Sequence, residues 1–389
     1  MRHYTANLAI AVEPDRKSEE QEWKETPAPT TKEADPMAVY TLDPLDDERW
    51  EDFLSKNPRS SVFHGRGWLR ALWETYRYRP SVFTTSRPGE TLRNGLVFCE
   101  VKSWLTGRRL VSLPFSDHCD LLADSEDHSM ELLARLAEAV GREWQYAEVR
   151  LLDRPKHALS TNWREVEGLC CHELSLDIPL EELFRRLHKD CIQRKVRRAE
   201  RENLVYQKGN SEQLLQQFYK LQLRTRLRHR LPPQPLQWFR NLISCMGGNL
   251  TIRTASKDGS AVAAIMTLSY KETTVYKYGC SDERLNHLGG MPFLFWKVIQ
   301  EAKSETMRRL DLGRSELTNP GLIAFKDRLG ARRVSLTNWY CAPVPNHKLR
   351  TVWITNVARR FMPRLPGVVL HLPTSLLAAS GNFFYRHMD

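Results

Sequence analysis

Short β-branched or aromatic runs alternate with longer stretches of helical period along most of this 389-residue chain. That alternation restricts it to a mixed α/β (α+β) fold, in which helices flank the strands. Order is expected from Met37, where AVYTLDPL reads as strand and turn. A helix over 47–57 follows, capped by Asp46 or Asp47, then a second with apolar residues at helical spacing from Trp68 to Tyr76. The runs SVFTTSR, LRNGLVFCEVKSW and RRLVSLPFSDHCDLL read as strands broken by Gly and Pro. SMELLARLAEAVGREW reads as an amphipathic helix and YAEVRLLD as the strand after it. These elements make a first domain over 37–175.

A second domain, over 176–345, opens with the clearest helical pattern in the chain. From 180 to 203, Leu180, Phe184, Leu187 and Cys191 recur every three or four positions, joined by Leu183, Ile192, Val196 and Ala199. The stretch is also basic, with eight Lys or Arg against two acids between 185 and 201. Strand, helix, the Pro-rich break LPPQP and another helix follow. Strands are then expected at NLTIRTAS, SAVAAIMTLSY and ETTVYKYGCS, a helix from near Pro292 to Glu305, the strand RRLDLGR, the short helix GLIAFKDRLG and a last strand in ARRVSLTNWYCAP. Residues 1–36 are charged and rich in Pro, Thr and Glu, a composition expected to stay disordered. The tail 346–389 carries six Lys or Arg and one Asp, and Trp353, Val357 and Phe361 are spaced for an amphipathic helix. Such a helix either packs on its own domain or rests on a membrane surface.

Composition narrows the partners. A net charge of +11 favours polyanions: nucleic acid, phosphorylated small molecules or an acidic membrane face. No apolar stretch is long enough to span a bilayer. Eight cysteines without a C-x-x-C pair, two of them adjacent at Cys170 and Cys171, read as free thiols of a reducing, cytoplasmic compartment. The sequence holds no P-loop, H-E-x-x-H, Rossmann glycine or G-x-S-x-G signature. Nucleotide hydrolysis, zinc proteolysis, dinucleotide redox chemistry and serine hydrolysis therefore have no support, and no metal site is expected.

The chemistry concentrates between Thr273 and Glu301. An aromatic strand ends in Gly279, the polar loop SDERLNHLGG follows, and Pro292 stands where a helix starts. Gly289 and Gly290 permit close approach of a ligand to the free N–H groups of that helix end, an anion site in form. A second element, RRLDLGRSELTNPGLIAFKDRLGAR, places Phe325 and Lys326 on a short helix behind a strand end. Lys326 suits a phosphate or a polarised carbonyl. Asp117 and His118 end a strand of the first half. Adjacent residues on a strand face opposite ways, so one of them, rather than a direct dyad, is expected in a cleft as proton acceptor. Asp282 is a rival base, and Asp311 and Arg314 read as a possible local ion pair. Arg194 and Arg198 of the basic helix offer forks for phosphate oxygens. Arg226 and His229 precede the Pro-rich break.

Taken in order, YKYGCSD, HLGGMPFLFW, RRLDLGRS and GLIAFKDRLGA resemble the C-terminal half of FemAB-like proteins and the related BioF2-like acetyltransferase domain. Both are members of the GNAT (acyl-CoA N-acyltransferase) superfamily. SVFHGRGWLRAL, VSLPFSDHCDLL and CIQRKVRRAERENL resemble earlier motifs of the same family, so the resemblance spans roughly 40–342. It implies two tandem GNAT-like domains with a cleft between them. It also implies transfer of an acyl group from acyl-CoA, or of an amino acid from aminoacyl-tRNA, onto an amine of a cell-envelope or polysaccharide precursor. Asn286, Gly289, Gly290 and Phe325 become candidates for holding the donor. Lys326, Asp117, His118 and Asp282 become candidates for the catalysis, and Arg194, Arg198, Arg226, His229 and Arg314 for an anionic acceptor. The usual pyrophosphate signature is altered, with Asn286 at its Gln/Arg position and Met291 at its last small position. Donor and acceptor would be co-substrates with no tightly bound cofactor, the acceptor small or lipid-linked and the enzyme cytoplasmic or peripheral to the inner membrane face. The alternative is a noncatalytic protein that binds polyanions or membrane surfaces through the basic helix and tail.

Overall fold

Alternating burial along the strands explains why one sheet carries helices on both faces. The computed structural model describes residues 38–103, 107–152, 162–229 and 231–342. The tails expected at 1–36 and 346–389 lie outside the described residues. The strands are β1 (Tyr40–Leu42), β2 (Arg79–Thr84), β3 (Leu96–Ser103), β4 (Gly107–Ser112), β5 (Tyr146–Leu151), β6 (Trp163–Ser175), β7 (Val205–Gly209), β8 (Leu250–Lys257), β9 (Ser260–Tyr270), β10 (Thr273–Ser281), β11 (Arg309–Glu316) and β12 (Arg332–Cys341). They form a single mixed sheet in the order β1-β2-β3-β4-β5-β12-β6-β11-β10-β9-β8-β7.

Read from its two edges, the order repeats. The run β1 to β5 from one side is matched by β7 to β11 from the other, and the parallel pairs β4–β5 and β10–β11 hold equivalent places. The centre departs from the sequence reading. The last strand, β12, pairs antiparallel with both β5 and β6, so it lies among strands of the first half. β6 in turn pairs with β11. The two halves therefore share one sheet, and a boundary at 175/176 separates no layer.

The helices are α1 (Glu48–Lys56), α2 (Arg66–Tyr76), α3 (Glu126–Ala139), α4 (Leu180–Arg186), α5 (Arg194–Arg201), α6 (Glu212–Arg228), α7 (Leu236–Met246), α8 (Gly290–Ser304) and α9 (Pro320–Arg328). Asp47 caps α1 by accepting from Arg49 N, and Asn319 caps α9 by accepting from Leu322 N with Pro320 in the first turn. Along β9, Ala264, Met266 and Leu268 join one core while Ala263 and Ile265 join another. The first core gathers helices of both halves. Trp68 of α2 meets Trp238 of α7 edge-to-face at 5.4 Å, and both rings are fully buried. Gly67 permits this approach, because a Cβ there would stand 2.8 Å from both Cys245 O and Met246 Sδ.

The helix expected over 180–203 is broken. α4 stops at Leu187, whose carbonyl accepts from the Gln193 side chain at 2.7 Å, and His188 caps a π-helical turn that leads into α5. The expected strand RRLVSLPFSDHCDLL ends at Ser112, and its remainder is a loop carrying Asp117 and His118.

Candidate active site

Where β10 and β11 part, the loop after β4 is wedged between them. The parallel pairing covers only Thr273–Val275 against Arg309–Asp311. Beyond it both strands are irregular, with register shifts between Tyr276 and Tyr278 against β9 and between Asp311 and Arg314 against β6. Such bulges re-aim side chains beside sites. Here they present Lys277 and the Gly313 peptide. Gly313 has φ 70°, which favours glycine, and a Cβ on it would press within 3.2 Å of Asp117 Cγ.

Asp117 bridges the opening. Its Oδ2 accepts from Lys277 Nζ at 2.8 Å, and its Oδ1 from Arg314 N at 3.5 Å. Burial pushes the Asp117 carboxyl up, but Lys277, Arg314 and Lys326 outweigh it and the net shift is down. Burial also draws the Lys277 ammonium down. Lys277 lies over the rings of Phe63, Trp68 and Tyr278 at 5.3, 5.6 and 5.5 Å, a cation–π setting. The loop itself is anchored by Arg150 of β5, which donates to the carbonyls of Leu113 and Ser116 at 2.8 and 3.1 Å and to Glu148 at 2.8 Å.

His118 turns the other way from Asp117, here in a loop and not on a strand. Its Nε2 pairs with Asp311 Oδ2 at 3.0 Å, so Asp311 pairs with His118 rather than with Arg314. Burial pushes the imidazole pKa down, and the hydrogen bond and charge of Asp311 more than reverse this, leaving it raised. His118 Nδ1 is buried without a hydrogen-bond partner. With Nε2–H donating to Asp311, Nδ1 is the lone-pair nitrogen.

Lys326 completes the cluster. It is 2% exposed, and its Nζ donates to the carbonyls of Gly313 at 2.8 Å and Arg314 at 3.0 Å. An ammonium has three donors, and these two bonds use two of them. Burial draws this lysine's pKa down. Gly313 also donates its own N–H to Asp311 Oδ1 at 2.7 Å. Lys326 and the His118–Asp311 pair thus both meet the backbone of Gly313. Phe325, beside Lys326, packs edge-to-face on Phe295 at 5.4 Å and belongs to the core beneath α8.

The remaining sequence candidates stand elsewhere. Asp282 is no free base: it accepts from Arg284 and Arg224, each at 2.6 Å, and the Arg284 hydrogen bond holds its pKa down at about 2. Arg226 donates to Pro232 O at 3.0 Å, which pins the Pro-rich turn, and His229 is exposed at the end of α6. Asn286 is exposed, and its carbonyl accepts from Gly289 N at 3.2 Å. Arg194 and Arg198 are exposed on α5 and sit 3.5 Å from Asp190 and Glu202. Sequence reasoning passed over Lys277, although a lone charge inside the aromatic run TVYKYGC was the available signal.

Gly289 and Gly290 are closely packed. Both are buried. A Cβ on Gly289 would stand 2.3 Å from Lys195 O of α5, and one on Gly290 3.0 Å from Ala263 Cβ. Gly289 also has φ 84°. Gly289→Ala is expected to destabilise the fold by roughly 2–5 kcal/mol, from left-handed strain plus a backbone clash. Urea unfolding would read this, and an unchanged midpoint would refute the packing role.

Residues 186–326 match the family model described as Acetyltransferase (GNAT) domain. The structure is similar to that of FemX, with a TM-score of 0.60 and 12% identity over 78% of this chain and 97% of that one. It is also similar to L-PGS from Bacillus licheniformis (0.52, 15%, 80% and 97%). A third similar structure is the C-terminal domain of a putative lysylphosphatidylglycerol synthetase from Agrobacterium fabrum (0.51, 13%, 79% and 95%). No curated protein sequence matches the chain. The matched segment, residues 186–326, is similar to a GNAT acetyltransferase domain, and the fold of the described residues is similar to that of FemX.

Proposed function

We propose that this protein is an N-acyltransferase that moves an acyl or aminoacyl group from a thioester or ester donor, acyl-CoA or aminoacyl-tRNA, onto an amine. The observation that carries the reading is the convergence of Lys326 and the His118–Asp311 pair on the backbone of Gly313. The acceptor's neutral amine attacks the donor carbonyl carbon and a C–N bond forms. The oxyanion receives the third N–H of Lys326, in a buried setting where such a bond is strong. The amine's proton passes to the His118–Asp311 pair, with Asp311 holding the tautomer and the charge. The C–S or C–O bond then breaks, and His118 returns the proton to the leaving sulfur or oxygen. Asp117, ion-paired and with a depressed pKa, positions the loop instead of taking the proton.

The name lysylphosphatidylglycerol synthetase among the similar structures supports a lipid as acceptor class, and the FemAB-like resemblance implies a cell-envelope precursor. Arg194 and Arg198 suit phosphates of a donor or of a lipid-linked acceptor, in line with a peripheral place at an acidic membrane surface. Among the described residues no helix is long and apolar enough to cross a membrane.

Acyl-CoA and aminoacyl-tRNA, offered separately with primary amines, test the reading by mass spectrometry of the amide product. Absence of amide from both donor classes would sink it. The base must be neutral to act, and its pKa is raised above 6.5. With a weakly basic acceptor amine that is neutral throughout the range, kcat/KM should therefore rise about tenfold per pH unit below that raised value and level off above it. His118→Gln should abolish this limb, and a limb that survives the substitution would remove His118 from the role.

A further inference from the structure

We propose that the cavity in front of His118 and Asp311 seats the acceptor, and that it selects a small amine carrying a carboxylate or phosphate. The word acceptor rests on the transferase reading; the binding chemistry does not. The cavity measures about 300 Å³ and lies between the Pro58–Val62 segment and one face of β10, β11, β6 and β12. That is room for a small molecule, at the low end of ligand sites.

Its charges are arranged by register. Asp311 stands opposite Glu173, Glu173 opposite Arg332, and Arg309 two residues before Asp311 on the same strand. Side chains alternate along a strand, so all four share the cavity face. Arg309 and Arg332 are exposed, and neither lies within ion-pair distance of a carboxylate among the described residues. Two forked guanidiniums on strands flanking β6 are suited to one oxyanion group. Glu173, half-buried between them and likewise without an ion pair among the described residues, offers a place for an ammonium. Val275 and Val334 supply apolar wall for the carbons between the two groups. Lys271, on the same wall, is committed: its Nζ donates to Leu54 O, Asn57 O and Ser60 Oγ at 2.6–2.8 Å, so it adds no free donor. A plain anion would leave Glu173 unmatched, and a plain amine would leave both arginines unmatched.

Isothermal titration of the full chain with 5-aminovalerate and with O-phosphoethanolamine tests this, with butylamine and butyrate as one-group controls. At least one two-group probe should bind saturably, at least about tenfold more tightly than either control. Preference for one probe tells carboxylate from phosphate. Arg309→Gln and Arg332→Gln, both at exposed positions, should each weaken that binding about tenfold or more. Equal binding by the variants, equal binding of the controls, or no saturable binding of either probe would overturn the proposal. Binding lost in the variants, in a protein that forms no acylated product, would uphold the pocket while removing the transferase reading.

Discussion

Lys326→Met should lower kcat by about 10²–10³-fold while leaving KM and the fold largely in place. Methionine follows the lysine stem in length, so contacts of the α9 side chain are kept. What disappears is the N–H that the proposed mechanism assigns to the oxyanion, a group that would matter in the transition state and little in the ground state. The substitution also strips a donor from the Gly313 and Arg314 carbonyls, which accept from Nζ at 2.8 and 3.0 Å. Leaving them unpaired costs about 1–3 kcal/mol each, so some fall in Tm accompanies the loss of rate. The two effects separate experimentally. Single-turnover rates measured well below the unfolding transition report chemistry, and circular dichroism at the same temperature reports the fold. A variant that keeps both its structure and its turnover would leave Lys326 as a structural prop for the β11 bulge.

The local elements were readable from the sequence because their signals are local. Asp47 caps α1 as expected, the helix expected over GLIAFKDRLG starts one residue earlier at Pro320, and the helix expected from near Pro292 begins at Gly290. What the sequence hid was long-range. Nothing in ARRVSLTNWYCAP says that its strand will lie between β5 and β6, since pairing is settled by the whole sheet. The break at Leu187 was masked because apolar residues at helical spacing persist through it, and the Gln193 bond to the Leu187 carbonyl is a tertiary detail. Gly289 and Gly290 were rightly seen as special. Their reason lies in the backbone of α5 and in β9, which no local motif reveals. Of the site, Asp117, His118, Arg314 and Lys326 were all marked, but from separate motifs. Only the wedge of one loop into the β10–β11 opening brings them together and adds Lys277.

Lys277→Met is expected to destabilise the protein by about 3–5 kcal/mol at neutral pH, the cost of stranding a buried charge. The side chains of Lys277 and Asp117 are only 6% and 11% exposed, so solvent cannot replace the lost partner. Asp117→Leu alone should be costly for the same reason. The double variant should then lose less than the sum of the two, because it leaves neither charge stranded, and a double-mutant cycle from urea unfolding measures the difference. Strict additivity would mean that Arg314 and Lys326 hold Asp117 without help. The pH dependence follows from the sign of the shift. The folded Asp117 carboxyl lies below its ordinary value, so its contribution is complete above an unfolded pKa of about 3.9 and is lost as pH falls through the lower folded value. The stability gap between the natural chain and Lys277→Met should accordingly be full at pH 7 and close in acid. Because Asp117 also fixes the loop that carries His118, the same variant should lose acyl transfer even at temperatures where it stays folded.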